Sequence, residues 1–100
     1  MTKDGMLKEI DRALQMLAQS RAQYPEFGPL EDMEAAVRTL RSEVTIRWPL
    51  SELERGRVEI GQFAVRNLDD VDHDLVMQLV RVGRLAKEGD GGGVLRPPQT

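Results

Sequence analysis

"LEDMEAAVRTLRSEV", residues 30 to 44, sets Leu30, Met33, Val37, Leu40 and Val44 at alternating spacings of three and four without a miss. Apolar residues at that period lie along one face of an α-helix, and the polar residues between them face away. Glu31, Asp32 and Glu34 crowd the first turn, where the positive end of the helix dipole favours carboxylates. A helix with one apolar stripe needs a partner to cover it, so the flanking segments decide the architecture.

Upstream, Leu7, Ile10, Leu14, Leu17 and, after a gap at Arg21, Tyr24 form a second stripe of the same period. It stops at "QYPEFGPL", where two prolines and a glycine cannot continue a helix. Downstream, "RWPLSELE" is the next break, and Ser51 with Glu54 forms an S-x-x-E capping box. A third helix is predicted from Ser51 or Glu52 to about Arg66, with Leu53, Ile60, Phe63 and Ala64 inward. Gly56 and Gly61 weaken it, each by about 1 kcal/mol relative to alanine, and mark either a close helix contact or a soft spot. A fourth helix runs from about Val71 to Lys87, burying Leu75, Leu79, Val82 and Leu85 or Ala86. Its acids come first and Arg81, Arg84 and Lys87 follow, again as the dipole prefers. No segment alternates strongly as a strand would. The predicted fold is all-α: a compact bundle of about four helices, built as two helical hairpins over residues 1–88. The Gly/Pro-rich tail "GDGGGVLRPPQT", 89–100, is expected to be disordered.

The whole chain agrees with one small domain. It has 100 residues, 40% hydrophobic and 31% charged, and only four aromatics, so its core is built from Leu, Val, Ile, Met and Ala. No apolar run approaches the roughly 20 residues of a membrane span. "MTKDGMLKEIDRAL" lacks the apolar region of a signal peptide, so a cytoplasmic location is expected. With no cysteine, disulfides, thiol catalysis and thiolate metal sites are excluded. A net charge of −3, with 14 basic residues spread along the chain, argues against nucleic acid as a partner. An acidic binding module instead suits a basic protein partner.

The densest chemistry lies in "GQFAVRNLDDVDHDL", residues 61 to 75, where Asp69, Asp70, Asp72 and Asp74 surround His73, the only histidine. The D-x-D-x-D spacing opens like a calcium loop. Counted from Asp70, however, the sixth and twelfth positions are Leu75 and Arg81 rather than Gly and Glu. One histidine supplies too few nitrogen ligands for a transition metal. Paired carboxylates at a solvated helix start have nothing to tune them for acid/base work. The simplest role is a helix start, with Asp69 or Asp70 as cap and the others complementing the dipole, a role compatible with a second use as a binding patch. His73 then sits on the surface of the first turn. The GDGGG run lacks the strand and helix of a phosphate loop. Tyr24, Phe27 and Trp48 lie in or beside the two Pro-containing connections, either capping the core or serving as binding hot spots. No nucleophile, base and orienting group can be assembled, so no enzyme, catalytic residue, cofactor or metal is expected.

From "EIDRALQMLAQSRAQYPEF" onward the chain resembles a family of small all-helical immunity proteins. These protect bacteria from a type VI secretion effector that hydrolyses NAD(P)+. The resemblance rests on Ile10-Asp11-Arg12-Ala13-Leu14, then Tyr24-Pro25 ten positions later, Gly61, Ala64-Val65, Asp69, Asp72 and Leu75. It covers residues 6 to 88 and departs at "IRWPLSELE", where Pro49 stands outside the family pattern, and in the tail. It implies a non-enzymatic antitoxin that binds the toxin domain of its cognate effector in a 1:1 complex and blocks the active site. The effector would be an NAD(P)+ glycohydrolase or another nucleotide-targeting toxin. The candidate toxin-binding residues are the acidic cluster Asp69, Asp70, Asp72, His73 and Asp74, the acids Glu31, Asp32 and Glu34, and the aromatics Tyr24, Phe27 and Trp48. The alternative reading is a small self-associating helical scaffold or regulatory subunit, and a weak homodimer is compatible with either.

Overall fold

A computed structural model describes residues 1–89; apart from Gly89, the tail expected to be disordered lies outside the described residues. Five helices follow in order: α1 (Lys3–Gln23), α2 (Gly28–Ile46), the single short turn α3 (Glu52–Gly56), α4 (Ile60–Leu68) and α5 (His73–Glu88). Among the described residues there is no strand. The four longer helices form the expected bundle of two hairpins, α1 with α2 and α4 with α5, closed into a ring by α1 on α5 and α2 on α4. Connections of a few residues make neighbours antiparallel. The ion pairs agree: Asp11 of α1 meets Arg41 late in α2, and Arg21 late in α1 meets Glu34 early in α2. No described helix is long and apolar enough to cross a membrane.

The α2 stripe is buried as predicted, from Leu30 through Met33, Val37 and Leu40 to Val44. In α1 the buried line is Met6, Ile10, Ala13, Leu17 and Ser20, while Leu7 and Leu14 are half-buried beside it and Tyr24 lies past the helix end, 45% exposed. This helix packs between two neighbours, so its covered arc is wider than one stripe and its centre is shifted. The core is aliphatic throughout, as the composition implied. Two polar residues join it: Ser20, and Gln78, whose amide donates to the Glu9 carbonyl and carboxylate at 3.0 Å each.

The predicted third helix is divided. Ser51 starts it through the capping box, its hydroxyl accepting from Glu54 N at 3.2 Å and its own N–H donating to the Glu54 carboxylate at 2.9 Å. That pairing, through the backbone N–H first and the hydroxyl next, lowers the Glu54 carboxyl below its ordinary value. The helix then ends at Gly56 and resumes at Ile60. The cause is visible in the burial: Val58 and Ile60 are both in the core, and residues two apart on a helix point about 200° apart. Only a break lets both turn inward, and it leaves Leu53, expected inside, 68% exposed. Gly61 marks a close helix contact. A Cβ at Gly83 would lie 3.2 Å from Gly61 N, and one at Gly61 would lie 3.4 Å from Val80 Cα, so α4 and α5 nearly touch backbones there.

Candidate partner-binding surface

Antiparallel packing brings two connections to the same end of the bundle: residues 24–27 between α1 and α2, and 69–72 between α4 and α5. Ser20, in the last turn of α1, contacts Asp72 at the start of α5, which fixes the two connections side by side. Ten of the eleven candidate residues therefore gather at this end. They are Tyr24 and Phe27 in one connection, Glu31, Asp32 and Glu34 in the first turns of α2, and Asp69, Asp70, Asp72, His73 and Asp74 in and beyond the other. Trp48 lies at the opposite end, half-buried after α2, with its indole N–H donating to the Met1 carbonyl at 2.8 Å.

These acids have different tasks. Asp72, and not Asp69 or Asp70, caps α5: one carboxylate oxygen accepts from Leu75 N at 3.1 Å and the other accepts from the Ser20 hydroxyl. The helix consequently begins at His73, two residues later than predicted. Asp69 ends α4, and its carboxylate contacts His73 Nδ1 at 3.1 Å across one turn, with both side chains well exposed. Glu34 is held between Arg38, at 2.9 Å, and Arg21. Hydrogen bonding from Arg38, with help from Arg21, outweighs partial burial and holds its carboxyl below the ordinary value. Among the described residues, Asp70, Asp74, Glu31 and Asp32 are exposed and make no ion pair, so their charge faces outward.

Phe27 is half-buried against the core at the start of α2, whereas Tyr24 stands exposed beside it. The end of the bundle thus offers an aromatic edge within a field of carboxylates. Among the described residues, no three His, Asp or Glu side chains come together as metal ligands. Asp72, the middle member of the D-x-D-x-D run, is already engaged in capping.

One exposed feature escaped the sequence reading. Val65 on α4 and Met77 on α5 are 54% and 55% exposed; Val65 lines a groove with Gly61, Gln62, Arg66 and Val80, whereas Met77 lies on the α1 side of α5 with Arg12, Met16 and Asp74. The available signal was that neither residue falls on the inward stripe of its helix.

Comparison with known proteins shows the family and the fold. The profile of the Tsi6 family matches residues 5–88. The structure of Tsi6 from Pseudomonas aeruginosa superposes with a TM-score of 0.71 at 26% sequence identity, covering 100% of each chain. Comparison with curated proteins gives no match. The profile takes in nearly all of the described bundle, including both connections at its acidic end, and the helical fold is shared with that structure. The resemblance first seen in Ile10–Leu14 therefore holds across the molecule, and the chain belongs to the Tsi6 family of type VI secretion immunity proteins, which are not enzymes.

Proposed function

We propose that the chain neutralises a type VI effector in the cytoplasm by binding its toxin domain one-to-one through the acidic end of the bundle, so that the toxin's active site is closed. The toxin is an NAD(P)+ glycohydrolase or another enzyme that consumes a nucleotide. Asp69, Asp70, His73, Asp74, Glu31 and Asp32 face it, Tyr24 and Phe27 supply the aromatic contact, and Asp72 and Glu34 hold the surrounding backbone and side chains in place.

This proposal rests on one observation: two connections far apart in sequence converge at one end, which leaves the carboxylates of Asp70, Asp74, Glu31 and Asp32 and the ring of Tyr24 exposed there. A site that binds an anionic nucleotide is positive, and clefts of one sign focus field lines. An acidic surface set against such a cleft speeds encounter and competes with the substrate for the same charge. The exposed tyrosine at this end is of the residue type enriched where binding energy concentrates.

The test is titration of the cognate effector's toxin domain with the purified chain while NAD(P)+ consumption is followed. Activity should fall linearly and vanish near one equivalent. If the two proteins copurify but the toxin consumes a different nucleotide, the assignment of NAD(P)+ fails and the immunity role stands. Full toxin activity in a saturated complex would show that binding does not close the active site.

A further inference from the structure

A groove of about 490 Å³ follows the seam between α1 and α5 and leads away from the acidic end. Arg12 and Met16 line it from α1, and Met77, Val80, Arg81 and Arg84 from α5; Asp74 stands where it meets the acidic end. Glu9 contacts both Gln78 and Arg81, which sets it level with that part of α5. The two helices are antiparallel, since Ser20 late in α1 meets Asp72 at the start of α5. Passing along the groove from Asp74, the order is therefore Met16, then Arg12 beside Met77, then Arg81 with Val80, then Arg84. The lining turns from negative to positive between Asp74 and Arg12.

The three guanidiniums are not equally engaged. Arg81 is held through Nε by the Glu9 carboxylate at 3.1 Å, and Gln78 holds Glu9 in turn at 3.0 Å, so this cation is largely balanced and its aliphatic stem covers apolar surface. Arg12 is exposed and makes no ion pair among the described residues. Arg84 is 59% exposed, and its Nε lies 3.9 Å from the Glu88 carboxylate one turn on. An exposed pair of that kind contributes little and yields to a closer carboxylate. Arg12 and Arg84 are thus the two cations open to a partner, with exposed Met77 and half-buried Met16 and Val80 as the apolar floor. Arginine and methionine are enriched at protein interfaces and lysine is depleted, and no lysine lines this groove. Unbranched thioethers also adapt their shape to an incoming side chain.

We propose that the α1–α5 groove docks a short acidic segment of the effector's toxin domain. Carboxylates of that segment meet Arg12 and Arg84, and an apolar side chain lies on Met77 and Val80. From Asp74 to Arg84 the helix rises about 15 Å, the length of roughly four or five extended residues. The inference rests on the immunity reading above and adds an orientation to it. The toxin's positive cleft faces the acidic end, and an acidic segment beside the cleft faces the groove. The reversal of sign between Asp74 and Arg12 then permits one alignment, because docking the other way round sets like charges together.

Binding kinetics with the cognate effector's toxin domain test this through the double variant Arg12→Gln, Arg84→Gln. The double variant Arg57→Gln, Arg66→Gln changes the net charge equally at two positions outside the groove. All four side chains are exposed, so the fold is retained. The sign of the effect discriminates. With the groove empty in the complex, losing two positive charges leaves the chain more negative, and association with a positive cleft at low salt is unchanged or faster. Docking in the groove predicts instead that the groove pair dissociates at least about ten-fold faster, while the control pair dissociates like the wild type. Met77→Ala should also dissociate faster, an effect that no change of charge explains. A groove pair that dissociates like the wild type would overturn the inference, as would a control pair that loses as much. The two readings fail separately. If Asp70→Asn with Asp74→Asn leaves association unchanged while the groove pair dissociates faster, the groove stands and the acidic end loses its role; the converse result removes the groove and keeps the acidic end.

Discussion

The hydroxyl of Ser20 donates to the carboxylate of Asp72, 52 residues away, while the other oxygen of that carboxylate caps the first turn of α5. One aspartate therefore satisfies an orphan N–H at the helix start and ties the α4–α5 connection to the end of α1. Ser20 is 1% exposed, so its hydroxyl has no water to replace Asp72. The side-by-side placement of the two connections, and with it the acidic end, depends on this link.

Replacing Asp72 by alanine should cost about 2–3 kcal/mol. Loss of a cap costs roughly 1 kcal/mol and a buried hydroxyl left unpaired about 1–3 kcal/mol. Asp72→Asn should cost less than about 1 kcal/mol, because its carbonyl still caps Leu75 and its amide can donate to the Ser20 oxygen. Urea unfolding of the two variants checks this. Equal losses from Ala and Asn would mean that charge, and not hydrogen bonding, is what Asp72 contributes.

Glycine substitutions should separate the close crossing from ordinary helix propensity. In Gly83→Ala the new Cβ meets the Gly61 backbone at 3.2 Å, and backbone cannot rotate away. Overpacking of about 1–3 kcal/mol then exceeds the roughly 1 kcal/mol that alanine gains in a helix interior, for a net loss near 1 kcal/mol. Gly56→Ala meets nothing within 4 Å and should be neutral or slightly stabilising. Thermal unfolding of both variants decides it; a Gly83→Ala chain that melts higher than wild type would mean that α4 and α5 are not so close.

Acid should weaken the fold partly through Glu9 and Glu34. The Glu9 carboxyl is lowered from its ordinary value of 4.5 first by the Gln78 amide and then by Arg81, and Glu34 is lowered from the same value by Arg38 and Arg21. A carboxyl lowered in the folded state binds its proton more readily when unfolded. Its stabilisation is thus fully present above 4.5 and is lost as pH falls through the lower folded value. The double variant Glu9→Gln, Glu34→Gln should be less stable at neutral pH and should lose less on going from pH 7 to below the carboxylate range. Denaturant midpoints against pH measure this, and an unchanged slope would assign the acid sensitivity to other groups.

Local sequence was enough where one stripe met one covered face. In α2 all five residues read from the sequence are buried. It fell short where a third body intervened. The buried line of α1 centres on Ala13 and Ser20 because α2 and α5 cover it from two sides, and no hydropathy pattern gives a serine that weight. The break before Ile60 was legible in principle, since Val58 and Ile60 cannot share one face of a continuous helix. The cap was not. Asp69, Asp70 and Asp72 are each a good cap residue, and the one chosen is the one that Ser20 reaches from another helix. Recognition of the acidic cluster needed only the sequence. Its meeting with Tyr24, Phe27 and the first turns of α2 is a tertiary fact, as is the separation of Trp48 at the far end.

The acidic end should act mainly on the rate of encounter. Asp70→Asn with Asp74→Asn removes two outward charges and leaves Asp72 capping α5, so the fold is undisturbed. Exposed interface charges govern association more than dissociation, and salt screens them over about 10 Å at 0.1 M. The expected result is a k_on for the toxin domain about ten-fold lower at low ionic strength, with the gap closing toward physiological salt and k_off nearly unchanged. Stopped-flow binding at nanomolar concentrations of the chain keeps any self-association out of the measurement. An unchanged k_on at low salt would leave Asp70 and Asp74 as the surroundings of a helix start. Truncating Glu31 and Asp32, then Tyr24 and Phe27, would next test the α2 side of the same end. Trp48→Ala would test the opposite end, and a large rise in k_off there, with the Tyr24 side silent, would place the effector across the Met1 and Trp48 end of the bundle instead.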